Sequence, residues 1–107
     1  MAVTADEIAF ARDLFSGLGD ITTRKMMGGL CLYCDGTIFA ILHPEDGLYL
    51  KAAGGMIDRM EHLGATQWTY TREGGTPTRM PYWTLPEQAL DDPEEATALA
   101  REALTYL

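Results

Sequence analysis

The sequence predicts an α+β domain: a mainly antiparallel five-stranded sheet covered by helices, in the order α-β-β-β-α-β-β-α. Three observations predict it. Apolar residues recur at helical spacing near both ends of the chain. Alternating runs flank Asp35-Gly36, a strong hairpin signal. Short runs rich in β-branched and aromatic residues, divided by Gly and Pro, fill the middle. The 107 residues suit one domain, 1–107, and 47% of them are apolar, enough for a core.

The first helix opens on a capping box. Thr4 is the N-cap and Glu7 stands three residues on. Ile8, Ala11, Leu14, Phe15 and Leu18 form its apolar stripe, and Gly17 and Gly19 end it, giving a helix over about 5–18. Residues 20–29 read as a connector, because Thr22, Thr23 and Gly28-Gly29 oppose a long helix. Met26 and Met27 are expected to pack into the core. The two glycines are expected to form a bulge or a close backbone approach at the strand start.

Leu30 to Tyr33 is the first strand, with Leu30 and Leu32 on one face and Cys31 and Tyr33 on the other. Thr37 to Leu42 returns after the turn, and Leu48 to Lys51 makes the third strand of a meander. Met56, Ile57, Met60 and Leu63 mark a short amphipathic helix ended by Gly64. Trp68 to Thr71 and Thr78 to Thr84 supply two more strands. Pro81 suggests an edge position for the second of them. A helical turn starts near Pro86. The last helix follows Asp92 as N-cap, with Pro93 at its first position and acids in its first turn. Its stripe is Ala96, Leu99, Ala100, Ala103, Leu104 and Leu107.

The formal net charge is -8. That argues against nucleic-acid binding, which needs clustered positive charge. From Glu87 to Glu102 six acids meet one base, Arg101. A nucleic-acid surface would have to use Arg24, Lys25, Arg72 and Arg79. No run is long and apolar enough for a membrane span, and the N-terminus lacks the basic-then-apolar pattern of a leader. A cytoplasmic protein is expected.

No reactive constellation emerges, so no enzymatic activity and no cofactor are expected. Cys31 and Cys34 have C-x-x-C spacing, but a strand sets them on opposite faces roughly 10 Å apart. A disulfide needs Cα atoms within about 7 Å. With His43 and His62 they make no ligand pattern for zinc. Ser16 is the only serine and has no partners arranged around it. The glycines after Arg24-Lys25-Met26-Met27 enter a strand, whereas a Walker-type phosphate loop enters a helix. Tyr33, Tyr49, Trp68, Tyr70, Tyr82 and Trp83 are many aromatics for a small sheet. Cross-strand stacking accounts for most of them, and Tyr and Trp also favour interfaces.

Arg24-Lys25-Met26-Met27-Gly28-Gly29, then Leu32-Tyr33-x-Asp35-Gly36-x-x-Phe39-Ala40, then Leu48-Tyr49-Leu50-Lys51, resembles the N-terminal domain of the TfoX/Sxy competence regulators. Trp68-Thr69-Tyr70, Met80 through Pro86 and the acidic segment 91–95 fit in the same order. Family members often carry phenylalanine where Met27 stands. The resemblance implies an α+β domain with an antiparallel sheet. It also implies regulation of DNA-uptake genes through protein contacts with a transcription activator. Longer members add a helical C-terminal domain, so a stand-alone domain is expected here.

The function expected is a small protein-interaction module, with a homodimer possible. The candidate interaction surface is Arg24, Lys25, Tyr33, Tyr49, Lys51 and Trp83. Met26, Met27, Gly28, Gly29, Asp35 and Gly36 are structural signature residues. The alternatives are nucleic-acid binding through the basic residues named above, or a small-molecule pocket lined by Met26, Met27 and aromatics.

Overall fold

The computed structural model describes residues 3–26, 28–44, 47–71 and 74–107. Helix α1 (Ala5–Leu14) begins at the predicted capping box. The Glu7 backbone N–H donates to the Thr4 hydroxyl at 3.2 Å, and the Thr4 N–H donates to the Glu7 carboxylate at 3.0 Å. The helix stops short of Leu18, and Ser16–Leu18 form a 3₁₀ turn. The last helix holds this end of the helix and the turn after it. The Thr97 hydroxyl donates to the Leu14 carbonyl at 3.3 Å, and the Arg101 guanidinium donates to the Gly17 carbonyl at 2.8 Å. A Cβ at position 17 would lie 2.8 Å from the Thr97 methyl, so a larger residue there would have to displace Thr97.

Six strands follow, one more than the sequence predicts: β1 (Ile21–Met26), β2 (Gly29–Cys34), β3 (Thr37–His43), β4 (Gly47–Lys51), β5 (Gln67–Tyr70) and β6 (Thr78–Thr84). The extra strand is β1, in the segment expected to be a connector. Ile21, Thr22 and Thr23 are β-branched, which favours extended backbone. Ile21 and Thr23 are half-buried while Thr22 and Arg24 are exposed, the alternation of an outer strand. The sheet is antiparallel throughout, in the order β1-β2-β3-β4-β6-β5. The predicted Asp35-Gly36 turn has φ of 51° and 81°, the left-handed pair that a tight β2–β3 hairpin demands.

Gly29 is tightly packed, and Met26 is not. A Cβ there would sit 2.6 Å from the Leu42 carbonyl oxygen. The expected close backbone approach is therefore present. The expectation that Met26 enters the core is corrected: it lies at the end of β1, 42% exposed. Among the described residues the buried methionines are Met56 and Met60 of α2 (Gly55–His62). Met27 lies outside the described residues.

Pro81 also departs from expectation. It stands on β6, inside the sheet between β4 and β5. Proline lacks the N–H of a ladder bond, and the sheet accommodates this with a bulge in β6, where Met80, Pro81 and Tyr82 stand opposite Trp68 alone on β5. The Gln67 side-chain amide donates to the Met80 carbonyl at 3.0 Å, and the Pro81 carbonyl accepts from the Ala52 N–H at 3.1 Å.

Short α3 (Glu87–Leu90) and α4 (Pro93–Leu104) close the chain. Asp92 caps α4 as predicted, its carboxylate accepting from the N–H groups of Glu94 and Glu95 at 3.1 and 3.4 Å. All four helices contribute to one core on one face of the sheet. Leu30, Leu32, Phe39, Leu42, Leu50 and Trp83 meet Ala11, Phe15, Met56, Met60, Ala89, Ala96 and Ala100 there. Phe15 meets Phe39 edge-on at 5.2 Å.

Candidate interaction surface

Side chains alternate along each strand, so those facing away from the helices are set by register. On β1 they are Thr22, Arg24 and Met26, because Arg24 pairs with Cys31 and Thr22 with Tyr33. Cys31, Ile41, Tyr49, Trp68 and Tyr82 form a second buried cluster on this face, with Tyr33, Ile38 and Met80 half-buried around it. No helix residue belongs to it among those described. Its cover comes from the sheet itself. Trp68, on the outermost strand β5, lies 5.8 Å from Tyr49 of β4 and 6.2 Å from Tyr82 of β6, ring to ring. The β5 end of the sheet therefore curls over its own helix-free side, and Trp68 is only 8% exposed. Tyr70 leans against Trp68 at 6.3 Å but remains 50% exposed.

At the other end of this face, Arg24 is exposed and Tyr33 is half-buried. With Thr22, Thr23 and Gly36 they line an open groove of about 310 Å³. The Tyr33 hydroxyl makes only a long contact to the Met26 sulfur, 4.0 Å. Lys51 ends β4 opposite Tyr82 and is half-buried. Among the described residues the helix-free side thus combines an aromatic floor with the cations Arg24 and Lys51, on a chain of net charge -8.

The predicted surface residues do not all meet. Arg24, Tyr33, Tyr49 and Lys51 share this side, although Tyr49 is buried in its floor. Lys25 is exposed but projects from the opposite side of β1. Trp83 is 4% exposed and belongs to the helix-side core, because it follows Tyr82 on a strand and must point the other way. The Tyr82-Trp83 dipeptide already carried that signal. Trp68, Tyr70 and Tyr82 belong on this face beside the predicted residues. Arg79 has the parity of Trp83 and lies on β6, four strand intervals from Arg24, so these two do not form one basic patch. Arg72 lies outside the described residues.

Burial raises the thiol pKa of Cys31. It also raises that of Cys34, with Asp35 adding to the rise and Arg101 opposing it. The Tyr82 hydroxyl is raised in the same way, first by burial and then by Cys31 and Tyr33 nearby. Both cysteines are free and lie in different clusters, Cys31 on the helix-free side and Cys34 on the helix side. Burial therefore favours the thiol over the thiolate at both positions. Among the described residues no three of His, Cys, Asp or Glu converge as metal ligands. No described helix is long and apolar enough to cross a membrane.

No curated protein matches this chain. The family model for the TfoX N-terminal domain matches residues 13–106, from late in α1 to just beyond α4. That span takes in the β1–β2 hairpin with its Gly28-Gly29, the Asp35-Gly36 turn, both faces of the sheet and the Asp92 cap. With the match running through every strand and nearly the whole length, the chain belongs to the TfoX N-terminal domain family.

Proposed function

We propose that the protein is a small interaction module of regulatory type, which binds another protein through the helix-free side of its sheet. The observation that carries this reading is the composition of that side. Tyr33 and Met26 reach the surface near Arg24 at one end of that side and Tyr70 at the other, with Lys51 on β4 between them, over a floor that is already packed. Aromatic, Met and Arg side chains are the types enriched at protein interfaces. A rigid floor lowers the ordering cost of binding. Family membership supports a regulatory role, and the two cations favour an acidic partner surface.

A photo-crosslinking amino acid placed at Tyr33 or at Tyr70 tests this in living cells. Both positions are expected to capture one and the same protein, identified by mass spectrometry. The same probe at Asp58, exposed on α2, is expected to miss it. With the partner purified, R24E and Y70A are each expected to weaken binding by about tenfold or more. Capture from Asp58 alone, or no specific adduct from either tyrosine, would overturn the reading.

A further inference from the structure

The sheet has two edges, and they differ. The β5 edge is four residues long and its register breaks at Gln67/Thr69. The β1 edge is six residues long, and its register with β2 is unbroken from Ile21↔Cys34 to Met26↔Gly29. Nothing in the sheet lies beyond β1. At its start, the Arg12 guanidinium donates to the Ile21 carbonyl at 3.1 Å and closes off that end. From Thr22 to Met26 no described side chain bonds the backbone. A regular, uncovered edge is a template for another strand.

Charge selects the occupant. Arg24 and Lys25 are exposed, adjacent and without an ion-pair partner among the described residues. Among the described residues, the acids next to the paired ends of β1 and β2, Asp20 and Asp35, lie at the Ile21 end of the strand. A second copy pairing antiparallel through β1 would bring two Arg24 and two Lys25 side chains into one short ribbon, which like-charge repulsion disfavours.

We propose that the β1 edge takes an extended acidic segment of another protein as a seventh strand of the sheet. This rests on the interaction-module reading above. Adjacent strand residues project to opposite sides, so two consecutive acids in the segment meet both cations. One carboxylate reaches Arg24 in the groove beside Thr22 and Tyr33, whose hydroxyls are further donors. The other reaches Lys25 on the far side. Backbone hydrogen bonds supply the affinity, and the paired acids set the register and the choice of partner.

The test is titration of the ¹⁵N-labelled full chain with an acetylated, amidated peptide of sequence TVTEEVT. Two control peptides accompany it: TVTQQVT, and TVTEEVT with alternate backbone nitrogens methylated. Saturable shifts are expected at the amides of residues 22–26 and at Tyr33. About tenfold or greater weakening is expected for each control. The double variant R24E/K25E, checked for folding by its melting temperature, is expected to reject TVTEEVT and accept TVTKKVT.

Equal binding of the methylated peptide overturns strand addition. So do shifts centred on Trp68 and Tyr70, or no saturable binding. A free protein that sediments as a dimer, and becomes monomeric in R24E/K25E, assigns the edge to a second copy and also overturns the proposal. If the peptide fails while crosslinks from Tyr33 and Tyr70 still capture one protein, the edge proposal falls and the interaction reading stands.

Discussion

The Trp68 indole lies 5.7 Å from the His43 imidazole, centroid to centroid, although three strand intervals separate β5 from β3. In a flat sheet those strands would stand about 14 Å apart. One side chain therefore holds the curl of the sheet closed, touching β3, β4 and β6 from β5. Trp68→Ala is expected to cost about 3–5 kcal/mol, measured by urea unfolding, because it opens a cavity where no helix can collapse inward. Trp68→Phe, which keeps a ring in place, is expected to cost clearly less.

The two glycines of the signature are needed for different reasons, and substitution separates them. Gly28 has φ of 75° with nothing near its missing Cβ, so Gly28→Ala is expected to cost about 1–2 kcal/mol, from backbone strain alone. Asparagine, which tolerates that conformation, is expected to recover part of the loss. Gly29→Ala is expected to cost about 1–3 kcal/mol by driving a Cβ into the Leu42 carbonyl, and asparagine there is expected to be worse than alanine. Melting temperatures of the four variants check both statements.

The last helix offers a comparison of a cap with a surface ion pair. Asp92→Ala removes the acceptor for two backbone N–H groups and is expected to cost about 1 kcal/mol. Glu102→Gln breaks a pair with Arg59 at 3.2 Å whose side chains are both over a third exposed. It is expected to cost at most about 0.5 kcal/mol and less in high salt. Thermal melts at two salt concentrations distinguish them.

Alkali is expected to destabilise the fold. Cys31, Cys34 and Tyr82 hold their protons above the ordinary values of 9.0 for cysteine and 10.0 for tyrosine. Between those values and the raised ones the unfolded chain has lost protons that the folded chain keeps, so stability falls as pH rises. The contribution is complete below about pH 8 and declines from about pH 9 upward. Melting temperatures from about pH 8 to about pH 10.5 are expected to fall reversibly. Cys31→Ala, which removes one of the three groups, is expected to flatten the fall even if it lowers the starting value.

Much of this fold was legible in the sequence because local chemistry and global structure agree. The Thr4 box, the Asp35-Gly36 turn, the Asp92 cap and the alternation of Leu30 and Leu32 against Cys31 and Tyr33 signal their elements directly. Strand β1 was hidden because its polar Thr-Thr-Arg-Lys run buries little, and it forms only because β2 offers an edge. Pro81 misled because proline marks an edge and a bulge alike, and the bulge around it in β6 shows only in the pairing with β5. The shared face of Arg24 and Tyr33 depends on a simple strand pairing, whereas the aromatic floor beside them was not legible. Which aromatics share a face depends on strand parity and on a curl that only long-range packing decides.

The order β4-β6-β5 places the strand that carries Trp68 outermost, paired on one side only. Local opening of a four-residue segment would therefore lift the lid from Tyr49 and Tyr82 while the helix-side core stayed intact. In hydrogen exchange such a hairpin behaves as a low-energy foldon, with amides of 67–70 exchanging by a sub-global route and those of β2 and β3 only with the whole domain. The aromatic interior is thus the part of the core that a small excursion of the β5 margin is expected to bring within reach of solvent.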